Sequence, residues 1–101
     1  MLRMKNKVLK VHPSDNLIVA LQTLEQYEEI TLEGEQYSLP FAIEAKHKFV
    51  TQDLTIGESV TMYGVRVGRA VQPIKRGEQI TTFNLKHESE EFSVKNRVPK
   101  R

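Results

Sequence analysis

The amino-acid sequence predicts a compact, mostly β domain with short strands and one or two short helical turns. Short runs rich in β-branched residues, such as Val60-Thr61 and Val65 to Val67, are typical of strands. Glycines separate these runs at Gly57, Gly64 and Gly68, where the backbone turns or another group approaches closely. A chain of 101 residues is long enough for one domain with a small core.

The first elements are predicted to be a strand over residues 7–11 and then a short helix. Pro13 ends the strand, and Asp15 and Asn16 carry side-chain oxygens that cap a helix. Leu17 to Leu24 has an apolar face and is therefore predicted as that helix. His12, together with Asp15 and Asn16, has the alternative role of ligating a metal or a hydroxyl group, although a cap is the commoner role.

A β pattern follows the predicted helix. Glu29 to Leu32 and Gln36 to Leu39 are predicted to pair as a hairpin around the turn at residues 33–35. The last predicted strand runs from Gln79 to Leu85.

Three segments, beginning at Leu24, Leu54 and Ile74, share one plan. The plan is an apolar residue, a glycine three residues later in the second and third segments, then a glutamate, and an apolar residue two positions further on. We interpret each as a tight turn followed by a strand, with Gly57 and Gly77 at positive φ. Tyr27 replaces the glycine in the first segment, where the same backbone costs about 1 kcal/mol, so that turn is expected to differ. A common turn–strand pattern without shared ancestry explains the likeness equally well.

The composition excludes several classes of protein. The chain has no cysteine, which excludes disulfides, thiol chemistry and zinc fingers and favours a cytoplasmic protein. The net charge is +2, and much of the basic excess lies near the two ends rather than along one element, which is not typical of a nucleic-acid partner. No apolar run approaches the ~20 residues that span a membrane, so no membrane partner is expected.

A polar cluster at Lys46-His47-Lys48 is the candidate binding feature. Lysine supplies a mobile positive charge and histidine a hydrogen-bond donor or base, so the cluster suits an anion such as the carboxylate of a sugar acid. The alternative is a solvated polar loop, which is the commoner role of such a cluster. No catalytic set of residues is complete, so a binding or accessory module is predicted, with no catalytic residue and no metal ligand assigned.

An ordered set of residues extends over about residues 7 to 86. It consists of Asp15-Asn16, Lys46-His47-Lys48-Phe49, Asp53, Gly57-Glu58, Tyr63-Gly64, Gly68-Arg69-Ala70, Ile74, Gly77-Glu78 and Asn84. In order and spacing this set resembles the N-terminal domain of altronate dehydratases, also called altronate hydrolases, to which a domain of galactarate dehydratases is related. The resemblance implies an SAF domain with the β-clip fold over residues 1–86. Residues 87–101 are then a linker or tail toward a catalytic domain.

The resemblance implies a role in hexuronate catabolism. Enzymes of this family are hydro-lyases that remove water from D-altronate to give 2-dehydro-3-deoxy-D-gluconate. The expected partners are the sugar acid and a C-terminal catalytic domain or large subunit. A divalent iron-type metal is expected in the complete enzyme, with no cofactor in this chain, which would be inactive alone.

The resemblance also assigns site residues. His47 and Lys48 would lie near the substrate pocket, and Asp15, Asn16 and Asn84 would hold its edge in shape or contact the ligand. The family often has His-x-His-Asn at the last strand, where this chain has Thr81-Thr82-Phe83-Asn84. Any function of those two histidines is therefore missing here or obtained elsewhere in the complete enzyme.

Two other functions fit the same residues. The chain is alternatively a separate small subunit of a two-chain lyase, of the altronate dehydratase or sulfolactate sulfo-lyase type. It is otherwise a free-standing carbohydrate-binding module, by analogy with other proteins of the β-clip fold.

Overall fold

The computed structural model describes residues 7–87, which form eight short β-strands in three small antiparallel sheets. The strands are β1 (Val8–Leu9), β2 (Leu17–Ala20), β3 (Glu29–Leu32), β4 (Glu35–Ser38), β5 (Lys48–Val50), β6 (Ser59–Met62), β7 (Val65–Ala70) and β8 (Leu85–His87). The sheets have the orders β1–β2–β5, β3–β4 and β6–β7–β8. The mostly β fold class is confirmed. Of the predicted tail, His87 belongs to β8 and the remainder lies outside the described residues.

The predicted helix at Leu17 to Leu24 is wrong, because its first half is strand β2 and no helix is present among residues 7–87. β2 is the central strand of its sheet: Val19 pairs with Leu9 on one side and Lys48 on the other. A short, continuous apolar run has no period that separates a buried strand from a buried helix. The β-branched Ile18 and Val19 favour the strand. In the same part of the chain, no helix is long and apolar enough to cross a membrane.

The predicted hairpin is confirmed as β3 and β4. Its two-residue turn consists of Glu33 and Gly34, which both have positive φ, at 53° and 81°. Positive φ at both central positions is the type I′ geometry that matches the twist of the flanking strands.

The predicted last strand, Gln79 to Leu85, is wrong over most of its length. Gln79 makes a single bridge to Phe49, the chain then turns, and β8 begins only at Leu85. The side chain of Asn84 closes this turn, because its Oδ1 accepts the Thr81 N–H at 2.8 Å and its Nδ2 donates to the Gln79 carbonyl at 2.9 Å.

The repeated turn occurs four times between residues 7 and 87, once more than the sequence pattern indicates. The additional copy begins at Ile43. In each copy one residue has the left-handed conformation, and its N–H donates to a carbonyl of a distant segment. These left-handed residues are Tyr27 (φ 66°), Lys46 (φ 76°), Gly57 (φ 93°) and Gly77 (φ 90°). Positive φ at the two glycines is confirmed. Tyr27 keeps the same backbone instead of turning differently, because its N–H bonds the Leu39 carbonyl at 2.7 Å.

The four turns associate in pairs, which divides the domain into two related halves. The first residues of the turns form antiparallel bridges, Leu24 with Ile43 and Leu54 with Ile74. Each half has its own core. One core comprises Val8, Ile18, Ala20, Leu24, Ile30, Tyr37, Leu39, Ile43 and Phe49, and the other comprises Leu17, Val50, Leu54, Val60, Met62, Ala70, Ile74 and Leu85. β2 and β5 contribute to both cores and therefore join the halves.

Candidate functional site

A cavity of about 550 Å³ lies where residues of both three-stranded sheets meet. Its size is in the range of small-molecule sites. The lining residues are Leu17, Lys46, His47, Lys48, Met62, Tyr63, Val67, Gln79, Ile80, Thr81, Thr82, Leu85 and His87. Leu17, Met62 and Leu85 are also buried members of the second core, so the base of the cavity is apolar and packed. The polar side chains come from β5 and the turn before it, from Tyr63 between β6 and β7, from the segment at residues 79–82 and from β8.

His47 occupies a turn position that glutamate occupies elsewhere in the fold. In the other three turns, the glutamate after the left-handed residue accepts, through Oε1, the backbone N–H three residues earlier. These bonds join Glu28 to Glu25 at 2.8 Å, Glu58 to Thr55 at 2.7 Å and Glu78 to Lys75 at 2.9 Å. The turn that begins at Ile43 has His47 at this position, and the exposed His47 side chain lines the cavity.

Lys46 is the second departure of this turn from the others. It adopts the left-handed conformation with φ 76°, where two of the other turns have glycine. This conformation costs a residue with a Cβ atom about 1 kcal/mol. The Lys46 N–H donates to the Ala20 carbonyl at 2.6 Å, which holds the turn against β2. Backbone strain of this kind is concentrated at functional sites, which adds to the case for Lys46 as a member of the basic cluster with His47.

The charged side chains of the cavity are all basic or potentially basic. Lys46, His47 and Lys48 lie in sequence at one part of the lining, and His87 lies on β8. None of the residues between 7 and 87 that line the cavity is an aspartate or a glutamate. Such a surface attracts anions, and lysine and histidine both donate hydrogen bonds to carboxylate oxygens.

Asp15 supports the cavity through the backbone and does not line it. The carboxylate is buried, with 4% exposure. Its Oδ2 accepts the N–H groups of His12 and Tyr63, both at 3.1 Å, and its Oδ1 accepts the Gly64 N–H at 2.9 Å. Tyr63 has positive φ, at 59°, and lines the cavity, so Asp15 fixes a turn that contributes to the wall. This Asp15 carboxylate does not cap a helix.

Asn16 and Asn84 also bond the backbone. The Asn16 Oδ1 accepts the Thr61 N–H at 2.8 Å and its Nδ2 donates to the Ser59 carbonyl at 3.0 Å, on either side of the irregularity in β6. Asn84 holds the loop that brings Thr81 to the cavity. The structure thus brings His47 and Lys48 to the cavity, and it places Asp15, Asn16 and Asn84 in the loops around it.

Several lining residues were not assigned from the sequence, and they include Tyr63, Thr81, Thr82 and His87. A fourth copy of the turn pattern, with Lys46 and His47 in place of glycine and glutamate, is a second sequence signal for the cluster that contains Lys46. His87 lies in a charged segment without a strand pattern, so nothing local indicates its role. Of the two positions where the family often has histidine, Thr81 lines the cavity and Phe83 is 79% exposed.

Across residues 7–87, no three histidine, cysteine or acidic side chains come together to hold a metal ion. The three residues considered above as ligands make other hydrogen bonds: His12 bonds Ser14, and Asp15 and Asn16 bond backbone N–H groups. The side chains that do line the cavity, among them Lys46, His47 and Thr81, are hydrogen-bond donors.

Comparison with known proteins gives one family and three relatives. The altronate/galactarate dehydratase SAF domain matches residues 6–88. The chain is 27% identical to altronate dehydratase of Bacillus subtilis over 92 residues, which are 91% of this chain and 18% of that protein. It is 30% identical to altronate dehydratase of Escherichia coli over 78 residues, which are 77% of this chain and 16% of that protein.

The match covers a larger share of the third relative than of the two altronate dehydratases. The chain is 39% identical over 51 residues to the (2R)-sulfolactate sulfo-lyase subunit alpha of Chromohalobacter salexigens. The match covers 50% of this chain and 54% of that subunit. This chain therefore spans less than a fifth of the two altronate dehydratases and about half of the subunit.

Proposed function

Because this chain belongs to the altronate/galactarate dehydratase SAF domain family, we propose that it is part of a sugar-acid dehydratase that acts on altronate. The two altronate dehydratases are much longer than the part that matches, which supports a separate catalytic part. In this proposal the complete enzyme removes water from D-altronate to give 2-dehydro-3-deoxy-D-gluconate in hexuronate catabolism. This chain contributes to the substrate pocket and is inactive alone.

The observation that carries the proposal is the basic lining of the cavity. Lys46, His47 and Lys48 lie together there, and no lining residue from 7–87 is acidic. We assign the substrate carboxylate to this cluster, with the two ammonium groups providing charge and the imidazole a directed hydrogen bond. When the carbon next to the carboxylate loses its proton, negative charge builds up on the carboxylate oxygens. Cationic groups near those oxygens stabilise that charge while hydroxide leaves the neighbouring carbon.

The remainder of the reaction is assigned to the catalytic part. A divalent iron-type metal would supply Lewis-acid chemistry there, and the residues of this chain bind and orient the acid. The absence of cysteine from the 101 residues supports a cytoplasmic enzyme.

The test compares the complete enzyme with a version that lacks residues 1–86. Altronate dehydration is measured for both, and then for the shortened enzyme after this chain is added as a separate polypeptide. We expect removal to abolish most of the activity and addition to restore part of it. Full activity without residues 1–86 would overturn the proposal, as would a folded shortened enzyme that the added chain binds but does not activate.

A second candidate function is that of a separate small subunit of a two-chain lyase. The similarity to the sulfolactate sulfo-lyase subunit alpha, of which the match covers 54%, favours it. The native protein, captured from cell extract, distinguishes the two by its mass. A chain of about 11.7 kDa with a large partner indicates the subunit, and a much heavier single chain indicates the domain. A chain of this mass without a partner would indicate a free carbohydrate-binding module.

A further inference from the structure

His87 reaches the same cavity as His47 from a different sheet. His47 lies immediately before β5, in the sheet β1–β2–β5, and His87 ends β8, in the sheet β6–β7–β8. Both side chains are exposed and line the cavity. A ligand in this space therefore meets an imidazole from each of two independently built elements.

The backbone position of His87 depends on Gly68. These two residues are paired across β7 and β8. A Cβ atom on Gly68 would lie 2.4 Å from the Lys86 carbonyl oxygen and 3.2 Å from the His87 Cα. Any side chain at Gly68 therefore pushes β8 away. The close approach of the two strands sets where His87 enters the cavity.

The groups near His87 in the chain differ in chemistry from those near His47. Lys46 and Lys48 flank His47 and carry full charges, whereas Thr81 and Thr82 bring hydroxyl groups to the lining from the segment that leads from Ile80, whose N–H donates to the Lys48 carbonyl at 2.9 Å, to β8. Asn84 fixes that loop, and the Thr81 hydroxyl accepts the Phe83 N–H at 3.1 Å within it. A carboxylate is held best by the lysines. Hydroxyl groups both donate and accept hydrogen bonds, and threonine and histidine side chains can supply both kinds of partner.

We infer that His87 is a second substrate-binding residue, which hydrogen-bonds the hydroxyl-bearing end of the sugar acid while Lys46, His47 and Lys48 hold its carboxylate. This inference rests on the proposed function. It adds a residue through which the site prefers a long sugar acid to a short one. It also makes Gly68 a positioning residue, because Gly68 affects the ligand only by allowing β8, and with it His87, to lie close to β7.

The test measures the binding of two acids to the 101-residue chain by NMR titration of its backbone amides. Altronate carries a carboxylate and a chain of hydroxyl groups, and glycolate carries a carboxylate with one hydroxyl group. We expect His87→Gln to weaken altronate binding roughly five- to tenfold and to leave glycolate binding unchanged within about twofold. His47→Gln is expected to weaken the binding of both acids.

Glycine variants test the positioning role. Gly68→Ala should weaken altronate binding as His87→Gln does, with glycolate again unaffected. Gly57→Ala is the matched control, because its Cβ would meet no atom within 4 Å and Gly57 does not line the cavity. It should lower stability, since φ is +93° there, without changing the binding of either acid.

Three outcomes would overturn the inference. In the first, His87→Gln weakens the binding of altronate and of glycolate equally, and in the second it weakens neither. In the third, altronate shifts no backbone amide signal of the wild-type chain at concentrations up to about 100 mM, well beyond typical substrate levels. None of them bears on whether the complete enzyme needs this chain for dehydration, which the activity assay decides separately.

Discussion

His47 and Glu58 occupy the same position in two turns of the same backbone form. The N–H of each donates to the carbonyl three residues earlier at 3.1 Å. The Glu58 carboxylate then bonds the Thr55 N–H at 2.7 Å and so stabilises its own turn. His47 has no carboxylate with which to do this, and its side chain lines the cavity. One turn has thus exchanged a stabilising side chain for one that is available to a ligand.

Replacing His47 with glutamate should restore the stabilising bond and remove the binding group. We expect His47→Glu to raise the free energy of unfolding by about 0.5–1 kcal/mol, because the new carboxylate accepts the Glu44 N–H. Altronate binding should weaken at least about tenfold, since the carboxylate repels the acid. Denaturant unfolding and NMR titration measure the two effects. Glu58→His is the matched control and should lose stability without losing binding.

Lys46 is expected to serve binding at a small cost in stability. Lys46→Gly keeps the left-handed backbone without a Cβ atom, so stability should stay the same or rise by up to ~1 kcal/mol. Anion binding should fall, because one ammonium group is removed. Tyr27→Gly makes the same backbone change in a turn outside the cavity and should leave binding intact. Equal binding losses in the two variants would show that Lys46 acts through the backbone alone.

Asp15 should be among the most sensitive positions for stability. Asp15→Ala leaves three backbone N–H groups around a buried position without their acceptor. The free energy of unfolding should therefore fall by about 3 kcal/mol. Asp15→Asn keeps one acceptor oxygen and should cost less. Thermal unfolding measures both losses. A loss below about 0.5 kcal/mol for Asp15→Ala would contradict the structural role, because surface substitutions cost no more than that.

Stability should depend on pH through Glu28. The Lys7 ammonium group, helped by the Glu25 N–H, lowers the pKa of Glu28 below its ordinary value of 4.5. The folded state therefore binds protons less readily than the unfolded state. The resulting stabilisation is present above pH 4.5 and is lost as the pH falls through the lowered pKa. It should stay below about 1 kcal/mol, because the pair lies near the surface.

Glu28→Gln isolates this effect. The free energy of unfolding of wild type and variant is measured with denaturant at several pH values on both sides of 4.5. Plotted against pH, the two curves should differ in slope below pH 4.5 and run parallel above it. Curves that run parallel throughout would show that the Lys7–Glu28 pair does not couple protonation to folding.

Local patterns predicted the hairpin and several of the other strands, but they did not predict how distant segments meet. The helix at Leu17 to Leu24 was wrong because a short apolar run does not reveal that β1 and β5 pair with it. Asp15 was expected to cap the helix that is absent, and its carboxylate instead accepts N–H groups of loops, one of them that of Gly64, 49 positions away. His87 enters the cavity because Gly68 lets β8 approach, and this is a property of the packed sheet alone.

The kinetics of the complete enzyme test most directly whether this cavity binds the substrate. We would measure kcat/KM for altronate dehydration in His47→Gln and in Glu58→Gln, together with the Tm of each. His47→Gln should lower kcat/KM at least about tenfold, the loss of one charge-assisted hydrogen bond, and leave Tm unchanged. Glu58→Gln should lower Tm and leave kcat/KM unchanged. Wild-type kcat/KM in His47→Gln would contradict the account, because the residue that departs from the other turns would then have no part in binding the acid.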